Sequence, residues 1–325
     1  MHRYLVLLLV ALSAFLGGFF FPKSALPSSQ SFPNPAIRQA GYHYINPLLE
    51  CENTSNIEHN TQLTSLKKSL IKQIDDIYSA GKITRIALYF RDLNNGPWFG
   101  INENDQFTPA SLLKTPMMIA YLKTAEENSS LLSEHLLYDP TDNPPESPNP
   151  AISPLIVNTP YTIEELLTRM IAYSDNNAFN LLTLHMPYEQ IEQVHLDLGL
   201  TVPSESTPDD FISVQQYAGL FRVLFNASYL NRPMSEKALS ILATASYHDG
   251  LVAGVDDNIE IAHKYGFRHG NNGIDQLHDC GIIYYPNHPY LLCIMTKGHE
   301  FPSLATAIKD LSYSVYQNIK TLYPN

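Results

Sequence analysis

The chain has 325 residues, 44% of them hydrophobic and 16% charged, with a formal net charge of -12 at pH 7. That is a globular composition able to bury a sizeable core, which excludes a disordered chain. The acidic balance repels polyanions and no Lys/Arg run offsets it locally, so nucleic acid is excluded as a partner. In chain order, Met1-His2-Arg3 leads into an apolar run from Tyr4 to Phe21, in which Ser13 is the only polar side chain after Leu5. A run of this length can cross a hydrocarbon core as a helix, so residues 1–22 read as a signal peptide or membrane anchor and the protein as exported to the cell envelope. Residues 23–58 are rich in Pro, Ser and Asn without a sustained period and read as a linker, leaving 59–325 as the folded domain.

From Leu63 to Ala80 the positions Leu63, Leu66, Leu70, Ile71, Ile74 and Ile77 recur at helical spacing. The period then changes: 85–90 and 97–101 read as strands around an Asn94-Asn95-Gly96 turn. Helices are expected at about 111–127, 161–173, 177–185, 188–198, 213–226 and 234–245, and the Pro-rich stretch 140–160 as a surface loop. Strands return at 260–268, 280–285 and 290–296, and 303–322 closes the chain as a helix. This order predicts an α/β (α+β) fold: a mixed, mainly antiparallel five-stranded sheet flanked by the terminal helices, with an inserted helical subdomain over about 111–245. Cys51, Cys280 and Cys293 are too few and scattered for a disulfide framework and read as structural, although an exported chain can pair two of them.

Three short segments carry chemistry. In Ser111-Leu112-Leu113-Lys114 a hydroxyl and an amine stand three apart where a helix begins, on one face and beside free N–H groups. A serine attacks only when a base takes its proton, and a lysine does so when burial and positive charge disfavour its ammonium form. Taken alone, the pattern is equally an N-cap serine followed by a surface lysine. Ser174-Asp175-Asn176 lies between two apolar-periodic helices; it reads as a capping cluster, and alternatively as a proton-relaying hydroxyl with an amide for a substrate backbone. His263-Lys264-Tyr265-Gly266, followed by Phe267, lies on a late strand, where the lysine can supply positive charge and the N–H after the glycine can complete an oxyanion hole with that of Ser111.

Together the three resemble the S-x-x-K, S-D-N and K-T-G signature of class A β-lactamases and penicillin-binding serine hydrolases. Asp249-Gly250-Leu251-Val252-Ala253-Gly254, ahead of the third segment, adds to the resemblance. It implies a serine hydrolase that forms an acyl-enzyme at Ser111 with β-lactam or D-Ala-type amides, needing neither cofactor nor metal. Lys114 would then be the base, Ser174 the proton shuttle, and Lys264 the electrostatic partner of a substrate carboxylate. Asn176, Tyr265, Gly266 and Phe267 would bind substrate.

Two departures stand out. Tyr265 replaces the Thr or Ser whose hydroxyl meets the substrate carboxylate in the family. The loop 202–210 also lacks the E-x-x-L-N context of the glutamate that activates the deacylating water, leaving Glu205, Asp209 and Asp210 as nearby acids that serve equally as solvated charges or caps. Three functions follow from the resemblance: a β-lactamase, a D,D-peptidase-like enzyme acting on peptidoglycan stem peptides, or a penicillin sensor with poor turnover. Its partners would be those small molecules, and a membrane if the N-terminal segment stays uncleaved. A zinc site from His263, His269, His278 and Cys280 is disfavoured, because strand alternation separates them.

Overall fold

The computed structural model describes residues 38–47, 61–94, 96–139, 154–270 and 272–324. The apolar N-terminal run, most of the linker and of the Pro-rich stretch, and Cys51 lie outside the described residues. Helix α1 (Thr61–Ser79) buries Leu63, Leu66, Leu70 and Ile74, one stripe at helical spacing. Strand β1 (Ile83–Asp92) then sorts its side chains by parity: Ile86, Leu88 and Phe90 join one core cluster while Ala87 and Tyr89 join the other. The sheet is therefore covered on both faces.

Strand β2 (Trp98–Ile101) pairs with β1, and the chain leaves the sheet through β3 (Gln106–Phe107) and a 3₁₀ turn, Ala110–Leu113. The helical block follows: α2 (Lys114–Ala125), the β4 (His135–Leu137) and β5 (Pro160–Thr162) pair, α3 (Ile163–Ala172), α4 (Asn176–His185), α5 (Tyr188–Asp197), β6 (Ile212–Ser213), α6 (Val214–Phe225) and α7 (Arg232–Leu242). Helix α2 is buried on nearly every side from Lys114 to Leu122, which makes it the centre of the block. Strands β7 (Ile261–Arg268), β8 (Asp275–Ile283) and β9 (Tyr290–Gly298) return to the sheet, and α8 (Phe301–Leu322) closes the chain. Leu304, Ile308, Leu311, Val315 and Ile319 of α8 pack in the same cluster as the α1 stripe.

The strand order is β2-β1-β9-β8-β7, and every neighbouring pair is antiparallel. Among the described residues the five-stranded sheet is thus wholly antiparallel rather than mixed, since short connections between β7, β8 and β9 make hairpins. The helical block runs from β2 at one edge to β7 at the other, as the element order predicts. The pairings β3–β6 and β4–β5 are too short to show a period in sequence; β3–β6 sets Gln106 and Phe107 opposite Ser213 and Ile212, just ahead of α6.

Strand β8 begins five residues before the expected Cys280, because Asp275, Gln276, His278 and Asp279 read as a polar loop. All four are buried. Each has a partner: His269 for Asp275, Thr108 for Gln276 and His278, His263 for Asp279. Cys280 and Cys293 stand opposite each other in register on β8 and β9 and form a disulfide. The residues considered for zinc are engaged separately, three by these hydrogen bonds and Cys280 by the disulfide.

Candidate active site

The site begins with the segment that enters α2. Thr108 is gripped from β8: its N–H donates to Gln276 Oε1 (3.0 Å), its carbonyl lies 2.9 Å from His278 Nε2, and its hydroxyl donates to Asp210 Oδ1 (2.7 Å). Two residues on, Ala110 adopts φ 48°, a left-handed conformation that costs a non-glycine residue about 1 kcal/mol or more. The clamp on Thr108 holds this strained turn in place, and Ser111 follows it. Behind Ser111, Tyr217 donates to the Leu112 carbonyl (3.1 Å), tying the turn to α6.

Strand β7 comes close to this turn because residue 266 is glycine. A Cβ there would lie 2.9 Å from the Pro109 carbonyl oxygen and 3.1 Å from Leu112 Cγ, so any side chain would push the strand away from Ser111. Ser111 and Phe267 consequently line one cleft of about 440 Å³ together with Lys114, Asn176, Phe179 and Asp209.

Lys114 gathers the pieces. Its Nζ lies 3.1 Å from Ser111 Oγ, 3.1 Å from Ser174 Oγ, 2.7 Å from the Ser174 carbonyl and 2.5 Å from Asn176 Oδ1. The capping reading holds for Asp175, whose carboxylate accepts from the Asn177 and Ala178 N–H groups at the start of α4 (2.9 and 3.3 Å). Ser174, at φ 55°, is turned out of the helical path, and its hydroxyl and carbonyl meet the lysine.

Lys264 sits on β7, fully buried. Burial first, and then the charge of Lys114, hold its pKa well below the usual lysine value, while Asp279 acts in the opposite direction. Its Nζ donates to the Tyr265 carbonyl (2.9 Å) and lies 4.4 Å from the Tyr265 ring centroid. Tyr247 stacks on Tyr265 with centroids 4.2 Å apart. Burial raises the pKa of the Tyr265 phenol, and the nearby Ser174 side chain opposes this.

Asp279 was not legible as part of this environment. Buried on β8, it accepts from the Leu251 N–H (2.9 Å) and lies 2.7 Å from His263 Nδ1. A Cβ on Gly250 would lie 2.4 Å from its Oδ2, so the Asp249-Gly250-Leu251 segment is where the backbone folds over this carboxylate.

The three loop acids occupy different places. Glu205 does not line the cleft, whereas Asp209 does and pairs with Arg268 Nη2 at 2.9 Å. Asp210 belongs to the Thr108 clamp and also pairs with Lys297 (2.7 Å). Burial raises its pKa, but hydrogen bonds from Lys297, Gln276 and Thr108 outweigh that and bring it down to about 2. It is an anionic strut at neutral pH.

Burial pushes His278, which holds the Thr108 carbonyl, down to about 4 from an ordinary 6.5. Between those values the unfolded chain binds a proton that the folded chain refuses, so stability should fall as pH drops from 6.5 to about 4. This group alone accounts for a loss approaching about 3 kcal/mol at 1.36 kcal/mol per unit. Urea midpoints across that range should decline in the wild type and decline less in His278→Gln; equal slopes would exclude His278 as the source.

Most of the chain matches known proteins. A family model described as "Beta-lactamase enzyme family" matches residues 69–319. A β-lactamase of Streptomyces albus G is 25% identical over 241 residues, covering 66% of this chain and 73% of its own length. Among solved structures, PBP-A is 26% identical with a TM-score of 0.67, covering 80% of this chain and 97% of its own. A β-lactamase from Xanthomonas campestris, at 20% identity and TM-score 0.68, covers 78% of this chain and 98% of its own and supports the fold. With the family model spanning most of the chain, the protein belongs to the beta-lactamase enzyme family, serine hydrolases that act on amide bonds.

Proposed function

We propose that the protein forms an acyl-enzyme on Ser111 with β-lactams and with D-Ala-type peptide amides, and hydrolyses it slowly, in the manner of a penicillin-recognising peptidase. The observation that carries this reading is Lys114 Nζ standing within 3.1 Å of the hydroxyls of both Ser111 and Ser174. Lys114 takes the Ser111 proton as Oγ attacks the carbonyl carbon. The oxyanion is received by the N–H groups of Ser111 and Phe267, two residues that line the cleft. Ser174 delivers a proton to the leaving nitrogen and recovers one from Lys114, so the cycle through ester formation balances. Asn176, whose Oδ1 holds Lys114, keeps its Nδ2 for a substrate carbonyl.

Slow release follows from the acids. Freeing the acyl group needs a carboxylate to activate water, yet Asp210 is spent on the clamp and Glu205 is not among the residues that line the cleft. PBP-A supports the same reading by likeness: a variant of it has been captured as an acyl-enzyme with penicillin G. The apolar N-terminal segment supports an export route to the cell envelope, where peptidoglycan stem peptides would be the natural amides.

Purified full-length protein incubated with a fluorescent penicillin should carry a covalent label that persists for minutes to hours, and Ser111→Ala should carry none. Labelling of Ser111→Ala as strong as wild type, or no label on either, overturns acylation at Ser111. Release within a second would keep the nucleophile and replace the peptidase-like reading by an efficient β-lactamase.

A further inference from the structure

Resting on the acylation just proposed, the Cys280–Cys293 disulfide gains a part in the chemistry, because it lies beside Lys264. Lys264 on β7 stands opposite Cys280 on β8, and Cys280 stands opposite Cys293 on β9. Directly opposed residues of antiparallel strands project to one face with Cβ atoms about 5 Å apart, so the lysine and the two cysteines form a single row across the sheet. The row faces the helical block: Cys280, Cys293 and Ala262, two residues before Lys264, belong to the core cluster that also holds Leu112 beside the nucleophile. All three members of the row are fully buried.

Strand β7 is packed tightly from two directions. A Cβ on Gly266 would lie 2.9 Å from the Pro109 carbonyl oxygen in the turn before Ser111, and a Cβ on Gly281, the residue after Cys280, would lie 2.4 Å from His263 Cβ. The row therefore has little room to widen. Bonded sulfurs lie about 2 Å apart whereas unbonded heavy atoms need about 3.5 Å, so opening the disulfide adds roughly 1.5 Å to the row.

We propose that the Cys280–Cys293 disulfide positions Lys264 by keeping this row narrow, and that the dithiol form crowds the lysine out of place and slows acylation of Ser111. Lys264 and Lys114 interact electrostatically, so a shift of one is felt by the other. Closing the bond is a thiol–disulfide exchange: one cysteine thiolate attacks an oxidised dithiol partner to give a mixed disulfide, and the second cysteine thiolate displaces it. The partner leaves as a dithiol, carrying both electrons and the two cysteine protons. Such partners act outside the reducing cytosol, so the chain reaches full activity after the export proposed for its N-terminal segment.

The test measures labelling rates of full-length protein with a fluorescent penicillin. The disulfide form is set against the dithiol form, made by refolding from urea with a reductant and verified by a gain of two titratable thiols. Cys280→Val with Cys293→Val supplies an unbonded pair of similar bulk that needs no reductant. Both unbonded forms should acylate about 10- to 100-fold more slowly, the scale for a misplaced catalytic group. Cys293→Ala, which removes the bond and the crowding together, should label within about twofold of the disulfide form, and in a Lys264→Met background opening the bond should change the rate by no more than about twofold. Cys293→Ala as slow as the dithiol form overturns the proposal, because the bond would then act as a cross-link. Equal slowing in the Lys264→Met background, or no slowing at all, also overturns it while leaving acylation of Ser111 intact. Failure of both unbonded forms to fold counts against it too, since the bond would then hold the domain rather than the lysine. If the disulfide form of wild type takes no label, the proposed function itself fails, and this inference with it.

Discussion

Replacing Lys114 by methionine should slow acylation of Ser111 by about 10³-fold, the middle of the range for losing a positioned general base. Among the described residues, Lys114 Nζ is the side-chain partner of Ser111 Oγ, at 3.1 Å, so no second group is within reach to take over the proton. Methionine keeps the length and apolar stem of lysine, which separates loss of the amine from loss of packing. Lys114→Arg sharpens the result: a guanidinium keeps the positive charge and can still hold Asn176 and Ser174, but it does not deprotonate in a protein. If the amine acts as base, arginine should be nearly as slow as methionine; if its role is to hold the two neighbours in place, arginine should restore much of the rate. Time courses of fluorescent-penicillin labelling distinguish the two, and less than about a tenfold loss in Lys114→Met would show that the Ser111 proton leaves by another path.

That the site was legible in sequence has a local cause. Ser111 and Lys114 lie on consecutive turns of one short segment, and Ser174 with Asn176 flank a helix cap, so the placement within each pair follows from local backbone geometry, whereas the meeting of the two pairs at Lys114 is a long-range contact. The helices and the long strands were equally legible, because each buries one stripe or one parity of apolar residues. What escaped is what depends on distant partners. Strand β8 starts with Asp275, Gln276, His278 and Asp279, four polar residues that no strand pattern would place in a core; they are tolerated because Thr108, His263 and His269 meet them from other parts of the chain.

The same cause hid the role of Asp210. In sequence it is one of three acids in a polar loop, indistinguishable from Glu205 and Asp209. In the fold it links the loop to β8 and to the Thr108 segment, and thereby to the turn carrying Ser111. Tyr265 is a related case. The sequence shows a phenol where a small hydroxyl was expected, and only the fold shows that its ring stacks on Tyr247, a partner 18 residues earlier in the chain.

Replacing Lys264 by methionine should move stability and activity in opposite directions. A fully buried ammonium has lost its hydration, and the lowered pKa of Lys264 says that burial is the larger cost, with Lys114 adding repulsion and Asp279 returning only part of it. Methionine fills a similar volume without charge, so the folded state should gain stability at neutral pH. Acylation should nevertheless fall, by about 10- to 100-fold, because Lys264 and Lys114 interact electrostatically and the variant removes one of the two amines.

The gain should also depend on pH, with a definite sign. A lysine whose folded pKa lies below its ordinary 10.5 binds fewer protons folded than unfolded between those two values, so wild-type stability rises with pH through that window. Lys264→Met lacks this contribution. Its advantage over wild type should therefore be greatest near neutral pH and shrink as pH approaches 10.5. Lys114, Asp279 and Tyr265 are the ionisable groups that interact with Lys264, and all three remain in the variant, so the difference between the two proteins isolates the one ammonium. Urea midpoints measured for both between pH 7 and 10 supply the comparison. A variant less stable than wild type at pH 7 would mean that Asp279 and Lys264 form a net-stabilising pair, and that the lysine is held in the core by its counterion instead of being tolerated there for the sake of catalysis.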